Sequence, residues 1–138
     1  MELFSLTGKR AIVTGAAGGL GKKIAEGLAQ AGAVVAIIDR LEQTEQIAKT
    51  MCSNNNKFFG VTADLLNRTD LKRGFNKAIQ LLGGIDILVN NAGMQVRGKA
   101  EEIALNEWDR LLELNLTVVF ELSQLAATKM FEQGTGGR

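Results

Sequence analysis

A chain of 138 residues, 46% hydrophobic and 22% charged, has the size and composition of one globular domain. A net charge of +1 without a block of one sign excludes an electrostatic nucleic-acid binder, and no apolar run nears the ~20 residues of a membrane span. The absence of histidine excludes Ser-His-Asp hydrolases, Cys-His proteases and histidine metal sites, so no metal is expected.

The single cysteine, Cys52, cannot form an internal disulfide, which fits a reducing compartment. The N-terminal segment MELFSLTGKR has no apolar signal core. Together these predict a cytoplasmic protein. Sixteen glycines and no proline punctuate the chain.

In chain order, Ala11-Ile12-Val13 is a β-branched run that ends in Thr14-Gly15. Leu20, Ile24, Leu28 and Ala31 recur at helical spacing, and Gly32 supplies a C-terminal stop. Ala33 to Ile38 is a second apolar run, ended by Asp39. A polar helix is predicted from about Leu41 to Cys52, then an Asn-rich loop, then a strand from Lys57 to Thr62. Leu71, Phe75, Ala78, Ile79 and Leu82 mark a third helix, closed by Gly83-Gly84. Ile85 to Val89 reads as a fourth strand, ended by Asn90-Asn91-Ala92-Gly93. One long helical region follows, from about Leu105 to Gln133, with Trp108 read as a packing residue.

The strands are apolar at successive positions, so both of their faces should be covered, as in a parallel sheet. Strands alternating with helices imply right-handed crossovers and an α/β fold, a Rossmann-type doubly wound parallel sheet of about four strands. Residues 1–138 form part of a single domain in this reading. No repeat or linker divides them.

The junction of the first strand and first helix carries Thr14-Gly15-Ala16-Ala17-Gly18-Gly19-Leu20-Gly21. Gly15 suits a tight turn, Gly19 leaves backbone N–H groups open to a pyrophosphate, and Gly21 allows close helix–sheet packing. A helix N-terminus there offers free N–H groups and partial positive charge to phosphates. Asp39 ends the second strand, where a carboxylate can accept hydrogen bonds from a ribose and repel a 2′-phosphate. Such repulsion is worth a few kcal/mol at intermediate dielectric, about enough to decide for NAD over NADP. Arg40, beside it, could stack on adenine or tolerate a phosphate.

The Thr-Gly-x3-Gly-x-Gly spacing, joined to Asn90-Asn91-Ala92-Gly93 after the fourth strand, resembles the short-chain dehydrogenase/reductase family. The resemblance covers essentially the whole chain. It implies a dinucleotide site built from Thr14, Gly15, Ala17, Gly19, Leu20, Gly21, Asp39, Arg40, Asp64, Leu65, Asn91, Ala92 and Gly93. Asp64 would contact the adenine amino group with Leu65 beside it. NADP-preferring members usually carry a basic residue just before the middle glycine of the motif, where this chain has Gly18. Asn115 matches the family's catalytic asparagine, whose helix is locally distorted and whose backbone holds a water of the proton relay.

The family's serine and its Tyr-x-x-x-Lys pair have no counterpart here, and the chain has no tyrosine. The 138 residues read as the N-terminal half of a longer enzyme, ending where a fifth strand would begin and expected to be inactive alone. Strand four would then be an exposed sheet edge. The segment Asn91–Arg97, with Asn106-Glu107-Trp108-Asp109 and the tail Glu132–Arg138, is similar to the 2-deoxygluconate/gluconate dehydrogenase subgroup. This implies a small-molecule substrate of the sugar-acid class, with Arg97 pairing its carboxylate. A 3-oxoacyl carrier-protein reductase and a non-catalytic NAD-binding or oligomerising fragment stay open. The helix from about Leu116 to Gln133, apolar on more than one side, resembles the one that pairs subunits in the family's dimers and tetramers.

Overall fold

The computed structural model describes residues 2–138. After a short 3-10 turn, four strands alternate with helices: β1 (Arg10–Thr14), α1 (Gly19–Gln30), β2 (Val34–Asp39), α2 (Thr44–Met51), β3 (Phe58–Thr62), α3 (Arg68–Leu82) and β4 (Ile87–Val89). A second 3-10 turn precedes α4 (Leu105–Leu112), a π-helical segment (Glu113–Thr117) and α5 (Val118–Gln133). The strands form one parallel sheet in the order β3-β2-β1-β4.

Alternate strand residues point to opposite faces, and both faces are dry. On one face Ile12, Ala36, Ile38 and Val61 pack with Leu71, Phe75 and Ala78 of α3 and with Val118, Leu122 and Ala126 of α5. On the other, Ala11, Val13, Val35 and Ile37 pack with Ala25 and Ala29 of α1 and Ala48 of α2. The small residues of α1 and α2 bring their axes close to the sheet. The α/β doubly wound reading therefore holds, with helices on both faces.

The element boundaries shift for identifiable reasons. β4 is three residues long, because Ile85 finds its backbone partners elsewhere. The Gln133 side chain accepts from the Ile85 N–H at 2.8 Å and donates to its carbonyl at 2.7 Å. α3 starts at Arg68, three residues before its first apolar marker, since Asn67 caps it by accepting from the Asp70 N–H at 3.0 Å. α2 starts at Thr44, after a turn in which the Thr44 hydroxyl donates to the Leu41 carbonyl.

β4 lies at the sheet edge, as expected of a fourth strand. Among the described residues its outer side hydrogen-bonds only to Arg138: the Arg138 N–H donates to the Asp86 carbonyl at 2.9 Å, and the Leu88 N–H donates to the Arg138 carbonyl at 2.9 Å. One packing expectation needs correction. Trp108 is 51% exposed on α4, a helix with no buried residue. α5 buries one stripe, Val118, Leu122 and Ala126, and leaves Phe120 at 67% exposure, with Leu116 of the π segment at 63%. The sheet has only one face to offer this helix, and nothing among the described residues covers its far side. No helix among the described residues is long and apolar enough to cross a membrane.

Candidate functional site

The site is assembled at the carboxyl ends of the strands, where an open parallel sheet splays its connections apart. The chain leaves β1 through Gly15, whose φ of 63° is left-handed. A Cβ on Gly15 would lie 2.8 Å from Cα of Ala92, so the turn and the loop after β4 touch backbone to backbone. A Cβ on Gly21 would collide with the Gly15 carbonyl oxygen and the Asn91 side-chain amide. Gly19, the first residue of α1, has φ 55° and nothing within 4 Å of its would-be Cβ. Two of these glycines are thus demanded by packing, and the third faces open space at a helix end. The first N–H groups of a helix lack internal partners. α1 has no acidic side chain in its first turn to take them up.

Two carboxylates stand at neighbouring strand ends. Asp39 reaches back over the glycine turn, accepting from the Ala17 N–H at 3.0 Å and from the Leu41 N–H at 3.2 Å. It does not cap α2, whose N-cap residue is Gln43. Asp64 follows β3, accepts from the Leu66 N–H at 3.0 Å, and is held by its own N–H donating to Asp70 at 2.7 Å. Between them opens a cavity of about 310 Å³. Its walls combine Ile38, Ala63, Leu65 and Leu66 with the two aspartates, Arg40 and Arg110. This is the apolar slot with a few convergent polar groups that suits a planar, polar-edged ligand.

The loop after β4 forms the far wall and is braced from both sides. The buried Thr14 hydroxyl accepts from the Asn91 N–H at 3.1 Å and the Ala92 N–H at 3.0 Å. The Asn91 amide donates to the carbonyls of Thr14 and Gly15, both at 3.0 Å. From the other side, Asn115 grips Met94 with both ends of its amide: Oδ1 accepts from the Met94 N–H at 2.9 Å, and Nδ2 donates to the Met94 carbonyl at 2.8 Å. Asn115 lies at the middle of the π-helical segment. The segment widens the helix by one residue, so the Val118 N–H donates to the Glu113 carbonyl. Such bulges recur at functional sites. Asn115 also borders a second hollow of about 420 Å³, with Asn90, Gln95 and Val119. The two spaces meet along Asn91–Met94. Asn90 donates to the Ser123 hydroxyl at 3.1 Å, while its buried Oδ1 has no partner among the described residues.

The predicted site residues thus divide by position. Gly15, Asp39, Arg40, Asp64, Leu65, Asn91, Ala92 and Gly93 line the first cavity. Thr14 is a buried brace. Gly21 packs the helix on the turn. Ala17 donates to Asp39, and Gly19 and Leu20 stand at the open end of α1. Leu20 is 72% exposed, an apolar side chain held in the open beside the turn. Six wall residues escaped the sequence reading: Ile38, Ala63, Leu66, Met94, Arg110 and Leu114. The last two are four residues apart on one helical stretch, but no sequence signal says which side of that helix meets the cavity. Arg97 is not in either wall. It is exposed, and its Nε donates to the Gln95 Oε1 at 3.3 Å.

The family model described as short chain dehydrogenase matches residues 9–138. The chain is 41% identical over 138 residues to 2-dehydro-3-deoxy-D-gluconate 5-dehydrogenase of Escherichia coli K12, covering all of this chain and 54% of that protein. A short-chain type dehydrogenase/reductase structure from Mycobacterium marinum superposes with a TM-score of 0.91 at 36% identity, over 99% of this chain and 54% of that one. A candidate NAD(P)-dependent gluconate 5-dehydrogenase from Beutenbergia cavernae, solved with NADP at low occupancy, gives 0.87 at 35% identity, over 96% of this chain and 53% of that one. The chain spans about half the length of the curated relatives it matches.

Proposed function

The chain belongs to the short-chain dehydrogenase family, and we propose that in the intact protein it supplies the NAD-binding half of an oxidoreductase acting on a sugar acid. One observation carries the reading. A carboxylate, Asp39, stands at the rim of a cavity that begins at a glycine turn and an open helix end. The residues fit a dinucleotide. The open end of α1 at Gly19 suits the pyrophosphate, Asp39 the ribose hydroxyls, and the Asp64–Leu65 wall the adenine. The Asn91–Gly93 loop leads from this cavity toward Asn115, on the side where a nicotinamide would lie. Bound NAD supplies the hydride chemistry.

NAD is favoured over NADP because Asp39 repels a 2′-phosphate and position 18 is glycine. Arg40, beside Asp39, is a group at that end that favours the phosphate. Titration of the intact protein with NADH and NADPH decides it: NADH should bind at least tenfold more tightly, and parity would sink the NAD assignment. Asn115 is proposed as the catalytic asparagine of the parent enzyme. The amide clamp on Met94 holds it in place, which leaves its backbone to order a water.

The sugar-acid class rests on the gluconate-type names among the relatives and on Arg97, exposed near the rim of the second hollow with a guanidinium suited to a carboxylate. Assaying gluconate-type acids against 3-oxoacyl thioesters separates this from a carrier-protein reductase. Arg97→Ala should raise KM for sugar acids about tenfold, the worth of one charged hydrogen bond. An unchanged KM removes Arg97 from the site. The exposed Leu116 and Phe120 support self-association through α5 in the parent.

A further inference from the structure

Seven arginines punctuate the chain. Arg10, Arg68 and Arg73 are ion-paired, and Arg97 is hydrogen-bonded to Gln95. Of the remaining three, Arg138 is the last residue, and its backbone pairs with β4. The other two, Arg40 and Arg110, have no side-chain hydrogen bond or ion pair among the described residues. Both line the same 310 Å³ cavity. Arg40 is accounted for by its place beside Asp39. Arg110 comes from a different element, α4, is exposed, and lines the cavity together with Leu65, Leu66, Met94 and Leu114.

Its placement is not left to a loose helix. Leu114, four residues on, lines the same cavity and so defines the side of the helix that faces it. The next residue, Asn115, locks this stretch to the cavity loop through its two bonds to Met94. An exposed arginine at the edge of an apolar wall, with no carboxylate bound to it among the described residues, is suited to a planar π-face, on which it stacks without losing its outer hydrogen bonds to water. Asp64, on the opposing strand-end wall, suits the edge of such a ring, since a carboxylate accepts from an exocyclic amine.

We propose that Arg110 is a base-recognition residue, whose guanidinium covers the purine of the adenine nucleotide while Asp64 reads its edge. The inference rests on the NAD reading above and extends it to α4.

Binding measurements on the intact protein test it with three probes: NADH, ADP-ribose, which keeps the adenine half, and nicotinamide mononucleotide, which lacks it. Arg110→Ala should raise Kd for NADH and for ADP-ribose by the same factor, about tenfold. The mononucleotide affinity and kcat should not move, while KM for NAD rises with Kd. Arg110→Lys keeps the charge and loses the plane, so it should recover less than half of the binding energy lost. Full recovery by lysine would mean simple attraction to the pyrophosphate and overturns the proposal. So does an equal loss for the mononucleotide, or no change for ADP-ribose. A wild-type protein that binds neither NADH nor ADP-ribose overturns the NAD reading itself, and the inference with it. Wild-type binding with an indifferent Arg110→Ala overturns the inference alone.

Discussion

Asp39 carries two loads at once. One oxygen holds the glycine turn through Ala17, and the other shapes the turn into α2 through Leu41. Substitution with alanine should therefore weaken NADH binding by tenfold or more, from two lost charged hydrogen bonds, and move the ratio of NADPH to NADH affinity upward. A fluorescence titration with both cofactors reads the two effects together. A different aspartate governs the response to acid. Asp86 is 8% exposed and takes a bidentate grip from the Arg10 side chain at 2.8 and 3.0 Å, plus the Arg10 N–H at 2.8 Å. The Arg10 side-chain hydrogen bond, followed by the Arg10 backbone N–H and the nearby charges, holds the Asp86 carboxyl below its ordinary range against the opposing effect of burial. A depressed folded pKa adds stability at all pH above the unfolded value near 4, and that stability is lost as pH falls through the folded value. Denaturant midpoints should thus fall as pH is lowered below about 4. In Asp86→Ala the fall should be shallower, and the neutral-pH stability about 2–4 kcal/mol lower because Arg10 loses its partner.

At the level of elements, the critical joint is the clamp between α5 and the entry to β4. Ile85 is fully buried and pairs neither its N–H nor its carbonyl with a neighbouring strand. Gln133 satisfies both from the last turn of α5, just before Gly134 ends the helix in the left-handed region. Gln133→Ala should leave two buried polar groups bare and cost about 2–4 kcal/mol by urea unfolding. A loss under about 0.5 kcal/mol would mean that water replaces the amide without penalty. The π segment is the other joint. It turns Asn115 toward Met94 while Val118, Leu122 and Ala126 stay in register with the sheet. A regular helix could not hold both contacts at the same chain length.

At the scale of the molecule, both sheet faces are covered, but the outer side of one helix layer is open. The α1–α2 face is covered by small residues, whereas Leu105, Trp108, Leu116, Phe120 and Phe131 stand 51–84% exposed along α4, the π segment and α5. Monomeric proteins rarely leave so much apolar surface in one region. The expected outcome is self-association of the intact protein through this helix pair. Phe120→Glu should shift sedimentation toward the monomer without altering NADH affinity, and a wild-type monomer at micromolar concentration would contradict it.

Local chemistry was enough to read much of this from the chain. Glycine at positive φ, apolar runs of strand length, helical spacing and turn-forming aspartates act over a few residues, so the order of elements, the glycine turn and the Asp39 and Asp64 positions were all legible. The doubly wound arrangement followed, because fully apolar strands demand cover on both faces. What the sequence could not show were contacts between residues far apart in the chain: Gln133 on Ile85, Asn115 on Met94, Thr14 beneath Asn91 and Ala92. Each depends on where two elements stop relative to each other, which no spacing encodes. The same reason hid Arg110, whose side of the helix is set by the π segment that follows it, and exposed Trp108 and Phe120, whose burial needs a surface that these residues do not provide.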